Sequence, residues 1–150
     1  MRHERCTKKR SDGHRMKIIW TNGCFDILHR GHIELFNYAH SLGDKLIVGI
    51  DSDDKVKKDK GSTRPFNSME DRKCLLSAIR CIDEIHDFNS TEALESLIKK
   101  IKPDIIVVGS DWKGKEVVGS QYVKEIKYFK RIENYSTTRI LENQENKKEK

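Results

Sequence analysis

His29 and His32 stand three residues apart with Gly31 between them, where an apolar run gives way to a helical pattern, so both imidazoles can face one spot at a helix entry. Two ring N–H donors beside unpaired helix N-terminal amides suit a phosphoryl group, steadying charge on its oxygens during an in-line displacement without any nucleophilic side chain. Cys24 could join the pair as a zinc ligand, but no fourth ligand lies at a usual spacing. Ser136-Thr137-Thr138 opens the last helical segment, where hydroxyls and free amides form a second anion seat, or else an ordinary N-cap. Arg72 offers a fork to a phosphate, or else a helix-surface charge. Lys57, Lys58 and Lys60 precede Gly61 as either a solvated face or a basic loop that closes on a triphosphate. Asp26 and Asp111 are candidates to hold the water shell of a Mg2+ ion; no direct metal ligand is assigned.

The elements that must position these residues follow from periodicity. Lys17–Thr21 and Leu46–Ile50 read as buried strands joined by a helix over Gly31–Leu42, with Gly43 as its stop. Asp51–Asn67, dense in lysine, glycine and serine, reads as a mobile solvated loop. Ser68-Met-Glu-Asp71 predicts a capping box and a helix to about Ile79 whose apolar face is Leu75, Leu76 and Ile79. A strand at Glu84–Phe88 follows, then a helix capped by Ser90-Thr91 and ended by Pro103, and a strand at Ile105–Val108. Beyond Gly109 the pattern gives a polar loop, a short helix near Gln121–Glu125, a strand at Ile126–Phe129 and a helix after Ser136. Alternating strands and helices predict one three-layer, Rossmann-like α/β domain with a parallel sheet, whose ligands bind beyond the strand carboxyl ends. The expected divisions are a disordered basic arm over 1–16, the domain over 17–141 and a disordered tail over 142–150.

Composition narrows the function. Of a net charge of +6 on 150 residues, residues 1–17 contribute seven basic side chains against two acidic ones, so the rest is nearly neutral. The high pI reports a short arm, not a basic folded face, and argues against a nucleic-acid partner. No window reaches the roughly 18 consecutive apolar residues of a membrane span, and no apolar run makes the arm an export signal. Cys6, Cys24, Cys74 and Cys81 include no C-x-x-C pair, which predicts reduced thiols in a soluble, cytoplasmic protein.

Gly23-x-Phe25-Asp26 followed by His29-x-Gly31-His32 resembles the signature of the cytidylyltransferase-like nucleotidyltransferases, and Tyr135-Ser136-Thr137-Thr138-Arg139-Ile140 resembles their second signature. The likeness runs from about Lys17 to Leu141, with Lys60-Gly61, Arg64-Pro65-x-Asn67, Arg72 and Gly109-x-Asp111 in family order. It implies that His29 and His32 contact the nucleotide phosphates and promote transfer, that Ser136 and Thr137 hold the β- and γ-phosphates, and that Arg72 pairs with the triphosphate or the incoming phosphate. Gly23, Cys24, Phe25, Gly109, Asp111 and Thr138 would complete the nucleotide site, and Asp26, Lys60, Arg64 and Asn67 the acceptor site. The implied cofactor is Mg2+, and the implied partners are a nucleoside triphosphate and a small sugar or polyol phosphate. A homodimer is left open.

Two subfamilies compete. Lys60-Gly61-x-x-Arg64-Pro65-x-Asn67 and Glu116-Val-Val-Gly119-Ser120 resemble the heptose-1-phosphate adenylyltransferases, whereas Asp111-Trp112-x-Gly114-Lys115 and Arg131-x-Glu133 resemble glycerol-3-phosphate cytidylyltransferase. The first covers more of the acceptor side and is favoured, with any sugar kinase expected on a separate protein. Asn134 departs from the glycine common before Tyr135, although asparagine tolerates left-handed backbone. A nucleotide-binding module without turnover is the alternative of another class.

Overall fold

The structure is a computed structural model that describes residues 15–132 and 135–148. Five short segments form parallel strands, the central ones rich in β-branched residues: β1 (Ile18–Gly23), β2 (Lys45–Asp51), β3 (Glu84–Phe88), β4 (Ile105–Gly109) and β5 (Glu125–Phe129). Their spatial order is β3-β2-β1-β4-β5, so the chain winds outward from β1 to β3 and then crosses back to start again at β4. That reversal leaves a crevice between the carboxyl ends of β1 and β4.

Strand side chains alternate between two helical layers. Ile19, Leu46, Val48, Ile50, Ile105 and Val107 face one way, against Phe36 and Ala39 of α1 (Arg30–Ser41) and Leu76 of α3 (Met69–Ser77). Trp20, Ile47 and Ile106 face the other, against Leu94 and Ile98 of α4 (Thr91–Ile101). Gly49 occupies its place because a β-carbon there would lie 2.5 Å from the Trp20 ring. The expected three-layer α/β architecture is the observed one.

Some expectations are corrected. The segment after β2 is not a loop throughout: Asp53–Lys60 forms helix α2, with the Ser52 hydroxyl accepting from the Lys55 amide at 3.3 Å. Asp53 and Asp54 lie in its first turn and Lys57, Lys58 and Lys60 in its last, matching the helix dipole, while Val56 alone is buried. A helix held by caps and charges shows no apolar stripe. Leu75 of α3 is exposed, and the position facing inward one turn before Leu76 is Arg72. The short helix expected near 121–125 is reduced to a 3-10 turn, Ser120–Tyr122, and Glu125 already belongs to β5. The tail expected to be disordered from 142 is helical to Lys148 as part of α5 (Thr137–Lys148). Residues 1–14 of the expected arm lie outside the described residues, as does Asn134. Arg15, inside that arm, pairs with Asp104, which also takes the Ile18 amide at 2.9 Å.

Candidate nucleotidyl-transfer site

β1 ends in a turn at which Phe25 takes a left-handed φ of 50°, swinging the chain back so that α1 starts directly over the crevice. His29 is the N-cap of α1 and His32 lies in its first turn. The two rings stack with centroids 3.9 Å apart, Tyr135 stacks on the outer face of His29 at 6.0 Å, and Phe25 meets His32 edge-on at 5.4 Å. Gly31 makes this possible, since a β-carbon there would come within 2.9 Å of the His29 ring.

Hydrogen bonding fixes how His32 can act. Its Nδ1 accepts from the His29 amide at 3.3 Å, so in the neutral ring the proton sits on Nε2, free to donate. Burial, reinforced by His29, Arg131 and Lys60, lowers the His32 pKa to about 3. Burial and then Arg131 also lower that of His29. Near neutral pH both rings are therefore uncharged donors. The Nδ1 of His29 is shielded from solvent against the first turn of α1 and is the one buried side-chain polar atom among the described residues without a hydrogen-bond partner.

The second anion seat arrives from the other end of the chain. Thr137 donates its hydroxyl to the Ile27 carbonyl at 2.9 Å, pinning the start of α5 to the β1–α1 loop. Ser136 caps this helix by accepting from the Arg139 amide at 3.1 Å, and its own O–H stays available to donate. One cavity of about 620 Å³ is lined by Gly23, Cys24, Phe25, His29, His32, Gly109, Asp111, Ser136, Thr137 and Thr138 of the expected nucleotide set, and by Asp26, Lys60 and Arg64 of the acceptor set. That volume is ordinary for a small-molecule site.

Three expected contacts are used internally instead. The Arg72 side chain is 0% exposed: Nε donates to the Asn67 carbonyl at 3.1 Å, Nη1 to the Cys24 and Asp51 carbonyls at 2.9 and 2.7 Å, and Nη2 to Asp53 at 2.7 Å. It cannot also pair with a triphosphate, so the catalytic role expected of it is replaced by a scaffolding one. Asp26 is buried and accepts from Arg64 Nε at 3.0 Å and from the Phe66 and Asn67 amides at 2.8 Å each. Asn67 returns its side-chain amide to the Asp26 carbonyl at 2.8 Å, and it does not line the cavity. These residues lock the 64–67 segment, with its cis Arg64–Pro65 bond, against the β1–α1 turn. Burial raises the Cys24 thiol pKa, leaving it a neutral wall.

Arg131 is the residue that the expected site lacked. It lines the cavity, lies close enough to depress both imidazoles, and bonds Asp111 at 3.3 Å. Its position just after the last strand was the available signal. Among the described residues no group of three or more His, Cys, Asp or Glu side chains could hold a metal ion, so the zinc alternative finds no donor set there. Cys24, Cys74 and Cys81 are free, and no described helix is long and apolar enough to cross a membrane.

Residues 20–143 match the model of the cytidylyltransferase-like family. The chain belongs to that family. It is 50% identical over 125 residues to the bifunctional protein HldE of Campylobacter concisus and 46% identical over 129 residues to that of Helicobacter pylori, covering 83% and 86% of this chain. It spans only 26% and 28% of those proteins' lengths. Among solved structures, the lipopolysaccharide core biosynthesis protein of Thermoplasma volcanium superposes with a TM-score of 0.66 at 24% identity, covering 79% of this chain and all of that one, which shows a shared fold. Family and relatives together support a nucleotidyltransferase.

Proposed function

We propose that this domain transfers a nucleoside monophosphate from ATP to a sugar 1-phosphate, a heptose 1-phosphate being favoured, and releases pyrophosphate. The observation that carries the reading is the convergence of two neutral imidazoles, the start of α1 and the start of α5 on one cavity. A triphosphate lying between the two helix starts meets donors at both ends. An oxygen of the acceptor phosphate attacks the α-phosphorus, and the bond from that phosphorus to the bridging β-oxygen breaks in line, its electrons leaving with pyrophosphate. His32 Nε2–H and the His29 ring would donate to the oxygens that gain charge, with Arg131 and Lys60 adding positive potential. Mg2+ would arrive with the triphosphate as its counter-ion, held largely by the phosphates and water, as this ion usually is at such sites.

Arg64-Pro65-x-Asn67 and the identity with the HldE proteins support the adenylyl and heptose assignment. The position of Arg131 beside the histidines keeps CTP and glycerol 3-phosphate as the second reading, because Arg131-x-Glu133 carries that likeness. Pyrophosphate release measured with ATP or CTP against heptose 1-phosphate, hexose 1-phosphates and glycerol 3-phosphate tests both. ATP with a sugar 1-phosphate should give the highest kcat/KM; preference for CTP and glycerol 3-phosphate would replace the substrates and leave the chemistry. Nucleotide binding without acceptor-dependent pyrophosphate would make the domain a non-catalytic module.

A further inference from the structure

The cavity extends past the anion seats to the ends of β2 and β3, where neither sequence motif lies. Neighbouring strands are spaced about 5 Å apart, which puts the end of β3 roughly 10 Å along the sheet from the end of β1. This arm is lined by Asp51 at the end of β2, Lys55 and Asp59 on α2, Phe88 at the end of β3, and Thr91 at the start of α4. Lys55 Nζ lies 3.4 Å from Asp51 and 2.6 Å from Asp59, and 5.9 Å from the centre of the Phe88 ring. The Asp51 and Lys55 side chains are only 16% and 17% exposed and so mostly withdrawn from bulk water, while Asp59 is half-exposed at the rim.

We propose that this arm receives the neutral, hydroxyl-bearing body of the acceptor, with Asp51, Lys55 and Asp59 selecting it. The inference rests on the nucleotidyl-transfer reading above. Burial works against the Lys55 charge, but the bonds to Asp59 and Asp51 outweigh it and hold the ammonium protonated. Two carboxylates and one ammonium then carry a net charge of −1, opposite in sign to the Arg131 and Lys60 end of the same cavity. A second phosphate on the acceptor would meet like charge there. A polyol body meets the reverse situation: hydroxyls donate to the carboxylates and accept from the ammonium, in charge-assisted hydrogen bonds. Thr91 adds one more hydroxyl-matching group. The helix α2 therefore has a use beyond its basic last turn. Its Lys60 end faces the phosphates, and one face, Lys55 and Asp59, faces the sugar.

The test is steady-state pyrophosphate release with ATP and a matched acceptor pair, a sugar 1-phosphate and the same sugar carrying a second phosphate at its far end. The wild type should prefer the monophosphate by at least 10²-fold in kcat/KM. Lys55→Met should raise the acceptor KM at least tenfold while the nucleotide KM stays within twofold. The Asp51→Asn/Asp59→Asn double variant should narrow the mono- against bisphosphate preference at least tenfold. Should Lys55→Met fail to fold by circular dichroism, Asp59→Asn, at a half-exposed side chain, carries the KM comparison. Equal use of both acceptors by the wild type, or variants that move the nucleotide KM and leave acceptor preference intact, would overturn the proposal. Absence of pyrophosphate with every acceptor sinks the underlying reading, and is distinguished by being independent of the variants.

Discussion

Replacing Arg72 separates a scaffolding role from a substrate-binding one. Arg72→Met keeps most of the side-chain volume but removes every donor, leaving the Cys24, Asp51 and Asn67 carbonyls and the Asp53 carboxylate without their partner. Removing one member of a buried ion pair costs about 3–5 kcal/mol, and each buried acceptor left unsatisfied about 1–3. The Asp53 side chain is 38% exposed and regains water, so its share is small, and the carbonyls are not additive because the loops relax together. A loss of about 3–5 kcal/mol is expected, against roughly 5–15 for a whole domain. At about 2–4 °C per kcal/mol for a chain of this size, Tm should fall by roughly 6–20 °C. Arg72→Lys should lose most of the same stability, since one ammonium cannot reach acceptors on four segments. Urea and thermal unfolding followed by circular dichroism give the answer. If Arg72→Lys melts with the wild type while its affinity for triphosphate drops, the guanidinium serves the substrate and the scaffolding argument is wrong.

His29→Ala and His32→Ala should each lower turnover by roughly 10²–10⁴ with the fold intact, and near-normal turnover in either would remove that ring from the chemistry. Gly31→Ala should weaken nucleotide binding at least tenfold, because its β-carbon displaces the His29 ring, while the helix itself gains slightly from alanine; isothermal titration calorimetry checks it. Because the folded-state pKa of His32 lies below its unfolded value, protonation favours the unfolded chain: the contribution is complete above about pH 6.5 and is lost as pH falls toward about 3, at up to roughly 1.4 kcal/mol per pH unit. Urea midpoints across that window should be less pH-dependent in His32→Gln; equal slopes would place the titration elsewhere.

The central strands were readable because buried parallel strands are continuous apolar runs, as in Leu46–Ile50 and Ile105–Val108, while the edge strand β3, mostly polar, was still placed at Glu84–Phe88 residue for residue. The α4 stripe and its serine cap were equally plain. Helix α2 was hidden for the opposite reason: with Val56 as its single buried residue it has no periodic face, and only Ser52 and the ordered charges announce it. The site was legible as a set of positions, since the motif residues of β1–α1 and α5 do meet at one cavity. What residue types could not reveal was where each side chain points. Asp26, Asn67 and Arg72 have the chemistry of phosphate or sugar ligands and use it on backbone amides and carbonyls, because the turns that frame an open crevice need buried partners for their own polar groups.

The electrostatics of the crevice suit the proposed reaction in a specific way. Burial keeps both rings neutral, with Arg131 adding to it for each and His29 and Lys60 for His32, so neither ring enters the reaction as a charged acid. A leaving pyrophosphate does not need one, because its charge is spread over several oxygens and is stabilised by donors and cations without a proton being transferred. A neutral Nε2–H, held in that tautomer by the His29 amide, is already aimed and needs no reorganisation as charge develops. The same cations that attract a triphosphate thus reinforce the protonation state that burial sets, in which the imidazoles can donate to it. The opposite charge balance around Lys55 at the other end of the cavity then decides which acceptor body can lie alongside.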